Sequence, residues 1–344
     1  MELAINSNTA SMVQNKEQIV QQENSKFIGG NTKKVNLNHL KNECIIPVFS
    51  KDNETTISHY QFINQAQESV QEVFSDFQIS EPTIRVSHMI KGRTPSAIGK
   101  PVKELEDSEK TIYYERCAFL IEIKERSVRV GNNKLTFCVG GVRAYNQENL
   151  YSKKSPEKFK VFVGFKNVVC TNLCVSTDGF SNEIKVSSLV GLKESISNLL
   201  NAYDSENHLN GLKYLPEVLV KENQFAHFVG RVRMFQHIDR NEKKKIYPFL
   251  LNDGQISSVV KGYYNCPNFG RNSDGSISLW NLYNLMTEAN KSSYIDNNIE
   301  RNVNAYGLMQ NLRESMNSEQ GNWYLPTLLY SVLIFIVMFP ELFY

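Results

Sequence analysis

Cysteine and tryptophan are scarce in this sequence, six and two among 344 residues, and no stretch concentrates the cysteines. Cys44, Cys117, Cys138, Cys170, Cys174 and Cys266 lie too far apart for the disulfide framework of a small secreted domain, and reduced thiols are expected. An excess of one charge is missing too, since the formal net charge is +2 and the pI about 8.1. That excludes a protein that coats nucleic acid through its overall charge and leaves only a local basic patch for such contacts. From Met1 to Gly30 there is no basic segment followed by an apolar core and a cleavage site, so no secretory signal is expected and the cytoplasm is the expected location.

Signatures of chemistry are equally thin. Gly140 and Gly141 stand without the further glycines, Lys and Ser or Thr of a nucleotide cradle, and a strand bulge is expected there. Cys170 and Cys174, four apart on an expected strand, share a face, but no His lies in the segment and buried structural thiols are the better reading. Asn272, Asp274 and Gly275 suggest a calcium loop but lack its closing acid, so a turn is expected. His39, His59, His88, His208, His227 and His237 form no short ligand motif; His88, on the apolar face of an expected strand, is the most interesting. No cofactor and no metal are expected. A catalytic site would have to be assembled from distant residues such as Arg85, His88 and Glu122.

What is present is a folding composition, 41% hydrophobic and 11% aromatic. Residues 1–32 are polar and cannot offset their ordering entropy by burial, so a disordered arm is expected. Residues 33–316 read as a single body. Ser58 and Gln61 have capping-box spacing ahead of Phe62, Ile63, Ala66, Val70, Val73 and Phe74, which predicts a helix to about Phe77. Alternation then predicts one strand through Ile84, Val86, His88 and Ile90. Cys117 to Ile123 and Leu135 to Val139 predict a hairpin turning at Gly131 to Asn133. Val161 to Phe165, Val168 to Val175, and Ile184 with Val186 add strands joined by short, hence antiparallel, connections. Beyond residue 190 three- and four-residue spacing takes over, with helices predicted around Leu192 to Leu200, Phe225 to Phe235, Leu279 to Met286 and Ile299 to Met309. A strand-rich 33–190 followed by a helical 191–316 is the α+β order, a mainly antiparallel sheet packed with a helical second half. Residues 317–344 form a hydrophobic extension, free of charge from Trp323 to Phe339, short for a membrane span and trimmed by Pro326 and Pro340. A membrane anchor, a packed segment and an appendage outside the fold are all compatible with it.

The strongest local charge feature runs from Arg143 and Tyr145 through Lys153, Lys154, Lys158, Lys160 and Lys166, interleaved with Tyr151, Phe159, Phe162 and Phe165. Lysines suit phosphates and exposed aromatics stack on bases, so the ribbon is a candidate nucleic-acid site. The competing reading is a strand with its rings in the core and its lysines in water. Lys243 to Lys245, near Arg231, Arg233 and Arg240, form a second basic surface, otherwise explained by helix ends that favour cations.

The sequence also resembles a bacterial family of unknown function, number 3871, found on mobile genetic elements. The resemblance runs from about His39 to Leu325. It is carried by HLKNECIIPVFSKDNETTISH (His39 to His59), IRVSHMIKGRTPSAIGKP (Ile84 to Pro101), GGVRAYNQENLYSKKSPEKFKVFVGF (Gly140 to Phe165), NLCVSTDGF (Asn172 to Phe180) and SLWNLYNLMTEANKSSYIDNNIERNVNAYG (Ser278 to Gly307). More remotely, Val168 to Gly179 and Asn284 to Glu288 are similar to pieces of the phage- and plasmid-type family number 932. The tail past Leu325 departs from the family pattern. The resemblance implies a genomic setting and no activity. Three readings follow: a non-enzymatic DNA-associated accessory protein, a protein-binding inhibitor of a host defence system, or an enzyme with a dispersed site.

Overall fold

The computed structural model describes residues 26–44, 56–97, 99–148, 156–318 and 322–325. Its centre is a seven-stranded antiparallel sheet in the order β1 (Lys33–Val35), β2 (Thr83–Val86), β5 (Arg116–Val130), β6 (Asn133–Ala144), β7 (Glu157–Asn167) and β8 (Leu173–Cys174), with β9 (Phe180–Val186) also paired to β7. Separate two-stranded ribbons are β3 (Met89–Arg93) with β4 (Lys110–Tyr114), and β10 (Leu219–Val220) with β11 (Ile277–Ser278). The expected α+β order is the one observed.

The β5–β6 hairpin turns at Gly131, whose φ of +53° suits glycine. The bulge lies on β5 between Ile123 and Ser127, not at Gly140 and Gly141 as expected. These glycines sit in regular register because the sheet has no room for a side chain there. A Cβ on Gly141 would come 2.6 Å from Phe62 Cζ, and one on Gly140 would strike the Phe119 carbonyl and the Phe162 ring. The single strand expected through His88 is also two: β2 joins the large sheet, β3 leaves for the ribbon, and His88 is exposed in the break.

Alternation along the strands fills both faces of the sheet. Phe119, Ile121, Phe137, Val139, Phe159 and Phe165 face one core, where they meet helix α2 (His59–Val73) and helix α3 (Leu189–Ala202). Ala118, Leu120, Cys138, Val142 and Phe162 face the other, covered by Phe27, Ile28, Ile295 and Ile299. Interleaved residues of β7 thus divide between two buried faces, with Phe159 and Phe165 in one core and Phe162 in the other. The predicted capping box at Ser58 and Gln61 is present. Short α1 (Leu37–Asn42) precedes it.

Past the sheet come α4 (Ser205–Lys213), α5 (Glu222–Met234), α6 (Arg240–Lys243), α7 (Asp253–Asn265), α8 (Leu279–Asn290) and α9 (Ile295–Asn317). One apolar cluster joins residues from Leu40 to Leu325 and so spans both halves of the chain. Both margins of the expected body shift outward. Phe27 and Ile28 are buried, and the Gly29 and Gly30 N–H groups donate to the Lys291 carbonyl, so residues 26–32 are docked rather than an arm. At the other end Tyr324 is fully buried beside Phe228, Phe235 and Phe249, with its hydroxyl donating to the Tyr247 carbonyl at 2.6 Å. Residues 1–25 of the expected arm and 326–344 of the extension lie outside the described residues. Among the described residues, no helix is long and apolar enough to cross a membrane.

Candidate functional site

Arg143 and Tyr145 do not belong to a surface. Arg143 is 1% exposed on the face of β6 that meets the start of α2. Its guanidinium donates to both Glu148 carboxylate oxygens at 3.0 and 3.2 Å, and also to Glu157 and the Ile57 carbonyl. Glu157 in turn accepts from the Ile57 N–H at 3.0 and 3.1 Å. The rings of Tyr145 and Phe159 lie 4.6 and 4.4 Å from the guanidinium carbon. With all three of its nitrogens hydrogen-bonded and two rings beside it, this buried cation staples three segments together and offers nothing to a polynucleotide.

Tyr145 stacks on His59 at 4.4 Å, and His59 Nε2 lies 2.8 Å from the Tyr114 carbonyl, which assigns the proton to Nε2. Burial, then the charge of Arg143, pushes the His59 pKa down to about 3, so the ring is neutral. His208 is a second buried imidazole, its Nδ1 hydrogen-bonded with the Tyr203 hydroxyl at 2.6 Å, with its pKa lowered to about 4 by burial.

The lysines behave differently. Lys160 is held by Glu300 at 2.6 Å and by the Asp296 carbonyl at 2.9 Å, and Lys166 by Glu122 at 2.6 Å. Lys158 is 41% exposed and bonds Glu183 at 2.7 Å, while Lys185 bonds the same carboxylate at 2.7 Å. Two cations on one exposed acid lower its pKa to about 2. Lys153, Lys154 and Tyr151 lie outside the described residues.

Lys158 and Lys160 line a cleft of about 340 Å³ where β7 and β9 meet the first turns of α9, with Glu183 and Glu300 beside them. Gln147, Asn182 and Asn297 supply three amides, over a floor of Val142 and Ala144. Gln147 sits in a short 3-10 turn, Tyr145–Gln147, and reaches Asp296 at 3.3 Å. Arg116 approaches the same Asp296 oxygen at 3.5 Å, and its guanidinium lies 5.9 Å from the ring of Tyr294, the 66% exposed N-cap residue of α9. The sequence pointed to the lysines but not to the amides or Tyr294. Amides carry no motif, and only the pairing of β7 with β9 and the packing of α9 bring Asn182 and Asn297 to Lys160.

The other expected sites resolve separately. Arg85 donates to the Thr32 hydroxyl at 2.9 Å and carbonyl at 2.6 Å, Glu122 holds Lys166, and His88 is exposed, so these three do not form a joint site. Cys170 lies in the turn before β8, not on a strand with Cys174, and the six cysteines are unpaired thiols. Asp274 accepts from the Ser276 N–H at 2.9 Å and Gly275 has φ +81°, which makes the Asn272 segment a turn. In the second basic surface Arg231 lies over Trp323 at 4.9 Å, and Lys243 donates to the Gln236 carbonyl at the end of α5.

No curated protein and no solved structure matches the chain. A family model described as "Domain of unknown function, B. Theta Gene description (DUF3871)" matches residues 7–325. With nearly its whole length matched, the chain belongs to this family of unknown function.

Proposed function

We propose that the protein is a non-enzymatic nucleic-acid accessory protein of a mobile genetic element. In this reading it holds phosphates at the β7–β9 edge through Lys158 and Lys160, joined by Lys153 and Lys154 from the segment before β7. The single observation that carries the reading is the sharing of Glu183 by Lys158 and Lys185. A half-exposed surface ion pair is screened by solvent and contributes little to stability, so Lys158 can exchange its carboxylate for a phosphate readily. Glu183 is not stranded by that exchange, because Lys185 remains on it. Lys160 is preset by two acceptors and retains a third N–H for a ligand.

Such binding is tolerant of sequence and weakens as salt rises, because bound lysines release counterions from the phosphates. Fluorescence anisotropy with labelled single- and double-stranded oligonucleotides across a salt series tests it. Replacing Lys153, Lys154 and Lys158 together with Gln flattens the salt slope by up to about three phosphate equivalents without unfolding the protein. No binding at low salt, or equal slopes for the two proteins, rejects the reading.

A further inference from the structure

The second basic surface has no part in the nucleic-acid reading. Between Arg231 and Lys245 the chain carries six Arg and Lys against two acids, Asp239 and Glu242, a local excess of four positive charges in a protein whose net charge is +2. Helix ends explain only some of these cations. Lys243 is engaged by the Gln236 carbonyl at 2.8 Å and lies over the Phe235 ring at 5.6 Å. Arg240 stands at the first position of α6, where the helix dipole disfavours a cation, and Lys245 lies past the C-cap residue Lys244. Whereas Lys158, Lys160 and Lys166 each hold a carboxylate, the exposed side chains of Arg240, Lys244 and Lys245 have no acidic partner among the described residues.

The chain passes into residues 326–344 at this same surface. Trp323, half-buried, lies beside Arg231 at 4.9 Å and packs on Phe235, the ring that also carries Lys243. The Tyr324 hydroxyl donates to the carbonyl of Tyr247, two residues after Lys245. Met234 and Leu250, sequence neighbours of the Phe235 and Phe249 rings that pack on Tyr324, are exposed apolar side chains. Beyond this point the thirteen residues from Thr327 to Phe339 contain no charged side chain, and Glu341 is the only one in 326–344. A segment of that composition favours any phase that removes it from water, and a bilayer is one. Its length does not suffice for a crossing, since thirteen residues wound as a helix reach about 20 Å against a hydrocarbon core of roughly 30 Å. A single modest apolar anchor binds membranes marginally, and a cluster of cations beside it makes the binding stable by attraction to anionic headgroups. This chain holds both within a few residues of each other, with a Trp, a residue of the water–lipid boundary, between them.

We propose that the face built from the end of α5, from α6 and from Trp323 docks on an anionic lipid bilayer, with the apolar residues 327–339 entering the near leaflet. Arg240, Lys244 and Lys245 then meet the lipid phosphates, and Trp323 sits at the level of the headgroups. None of these residues lines the β7–β9 cleft, so the docking face is independent of the phosphate site proposed there.

Flotation of the full chain tests this with two kinds of vesicle, phosphatidylcholine alone and a roughly two-to-one mixture of it with phosphatidylserine. The native chain should float with the mixed vesicles and bind the neutral ones at least about tenfold more weakly. The triple variant Arg240→Gln, Lys244→Gln, Lys245→Gln should lose at least about tenfold in affinity for the mixed vesicles, with oligonucleotide binding unchanged. Removing residues 326–344 should reduce flotation to background. The triple variant keeps the test usable if that truncation fails to fold, because exposed substitutions seldom unfold a protein. A native chain that does not float with the mixed vesicles overturns the proposal, and self-associated protein left at the bottom of the gradient counts as that result. Equal flotation with both lipid compositions, or a triple variant that floats as well as the native chain, shows that the basic face takes no part and overturns the docking surface. A triple variant that loses oligonucleotide affinity but keeps its flotation assigns the face to nucleic acid and overturns it as well.

Discussion

Asn284, buried in the middle of α8, accepts a hydrogen bond from Asn167 at the end of β7 at 3.2 Å, and so ties the helical half of the chain to the sheet. Asn172 Nδ2 donates to the Asn284 backbone carbonyl at 2.9 Å and to its side-chain oxygen at 3.3 Å, and Asn284 Nδ2 donates back to the Trp280 carbonyl at 2.9 Å. All three amides are at most 1% exposed. Replacing Asn284 with Leu leaves the Asn167 donor without its partner and weakens that of Asn172, and a buried unmet polar group costs about 1–3 kcal/mol. The expected loss is about 2–4 kcal/mol in urea unfolding. A double-mutant cycle with Asn167→Ala should be clearly non-additive, and strict additivity would show that the two amides do not act as a unit.

Arg143 separates scaffold from site. Its guanidinium is wholly buried with Glu148 and Glu157, and removing one partner of such a pair typically costs about 3–5 kcal/mol because the remaining charges are left in a dry environment. Arg143→Met is therefore strongly destabilising, whereas Lys158→Gln leaves unfolding within about 0.5 kcal/mol of the native chain. Denaturant titration of both variants checks the contrast. A mild Arg143→Met variant with altered oligonucleotide affinity would return this residue to the candidate surface.

Much of the architecture was legible in the sequence because its signals are local. The capping box of α2, the turn glycine of the β5–β6 hairpin and the three- and four-residue spacing of α5, α8 and α9 each lie within one element. What could not be read depends on what packs where. β7 shows Phe159, Phe162 and Phe165 between lysines, and no local pattern reveals that Phe27, Ile28 and Ile299 cover the face a solvated strand would expose. Arg143 looked like a ribbon cation because its partner Ile57 is 86 residues away. The lysines of the cleft could be singled out by charge, but its amides come from three separated stretches and acquire meaning only through the β7–β9 pairing.

The margins of the fold make a third prediction. Tyr324 fills a pocket among Phe228, Phe235 and Phe249, and truncating a buried aromatic to Ala costs about 3–5 kcal/mol. Tyr324→Ala should lower the melting temperature by several degrees. Removing residues 326–344, beyond the family match, should leave a folded chain with an unchanged urea midpoint. If that truncation unfolds the protein, the extension belongs to the core.

The last prediction concerns pH. His59 and His208 are neutral in the native state, with pKa values lowered by burial to about 3 and about 4 from the ordinary 6.5. Above about pH 6.5 both rings are neutral in folded and unfolded chains alike, and they add no pH dependence. As the pH falls below that, the unfolded chain takes up protons that the native core refuses, so stability declines. The decline ends near pH 4 for His208 and near pH 3 for His59, where the native rings protonate as well. At about 1.4 kcal/mol per pKa unit, each ring removes on the order of 3–5 kcal/mol across its window. Urea unfolding between about pH 7 and pH 4.5 should show this slope, and replacing His208 with Gln should flatten it by close to one proton. Oligonucleotide affinity compared at about pH 7 and pH 6 should barely change, because neither imidazole lines the cleft. A slope unaltered by both His208→Gln and His59→Gln would place the acid sensitivity in the carboxylates instead.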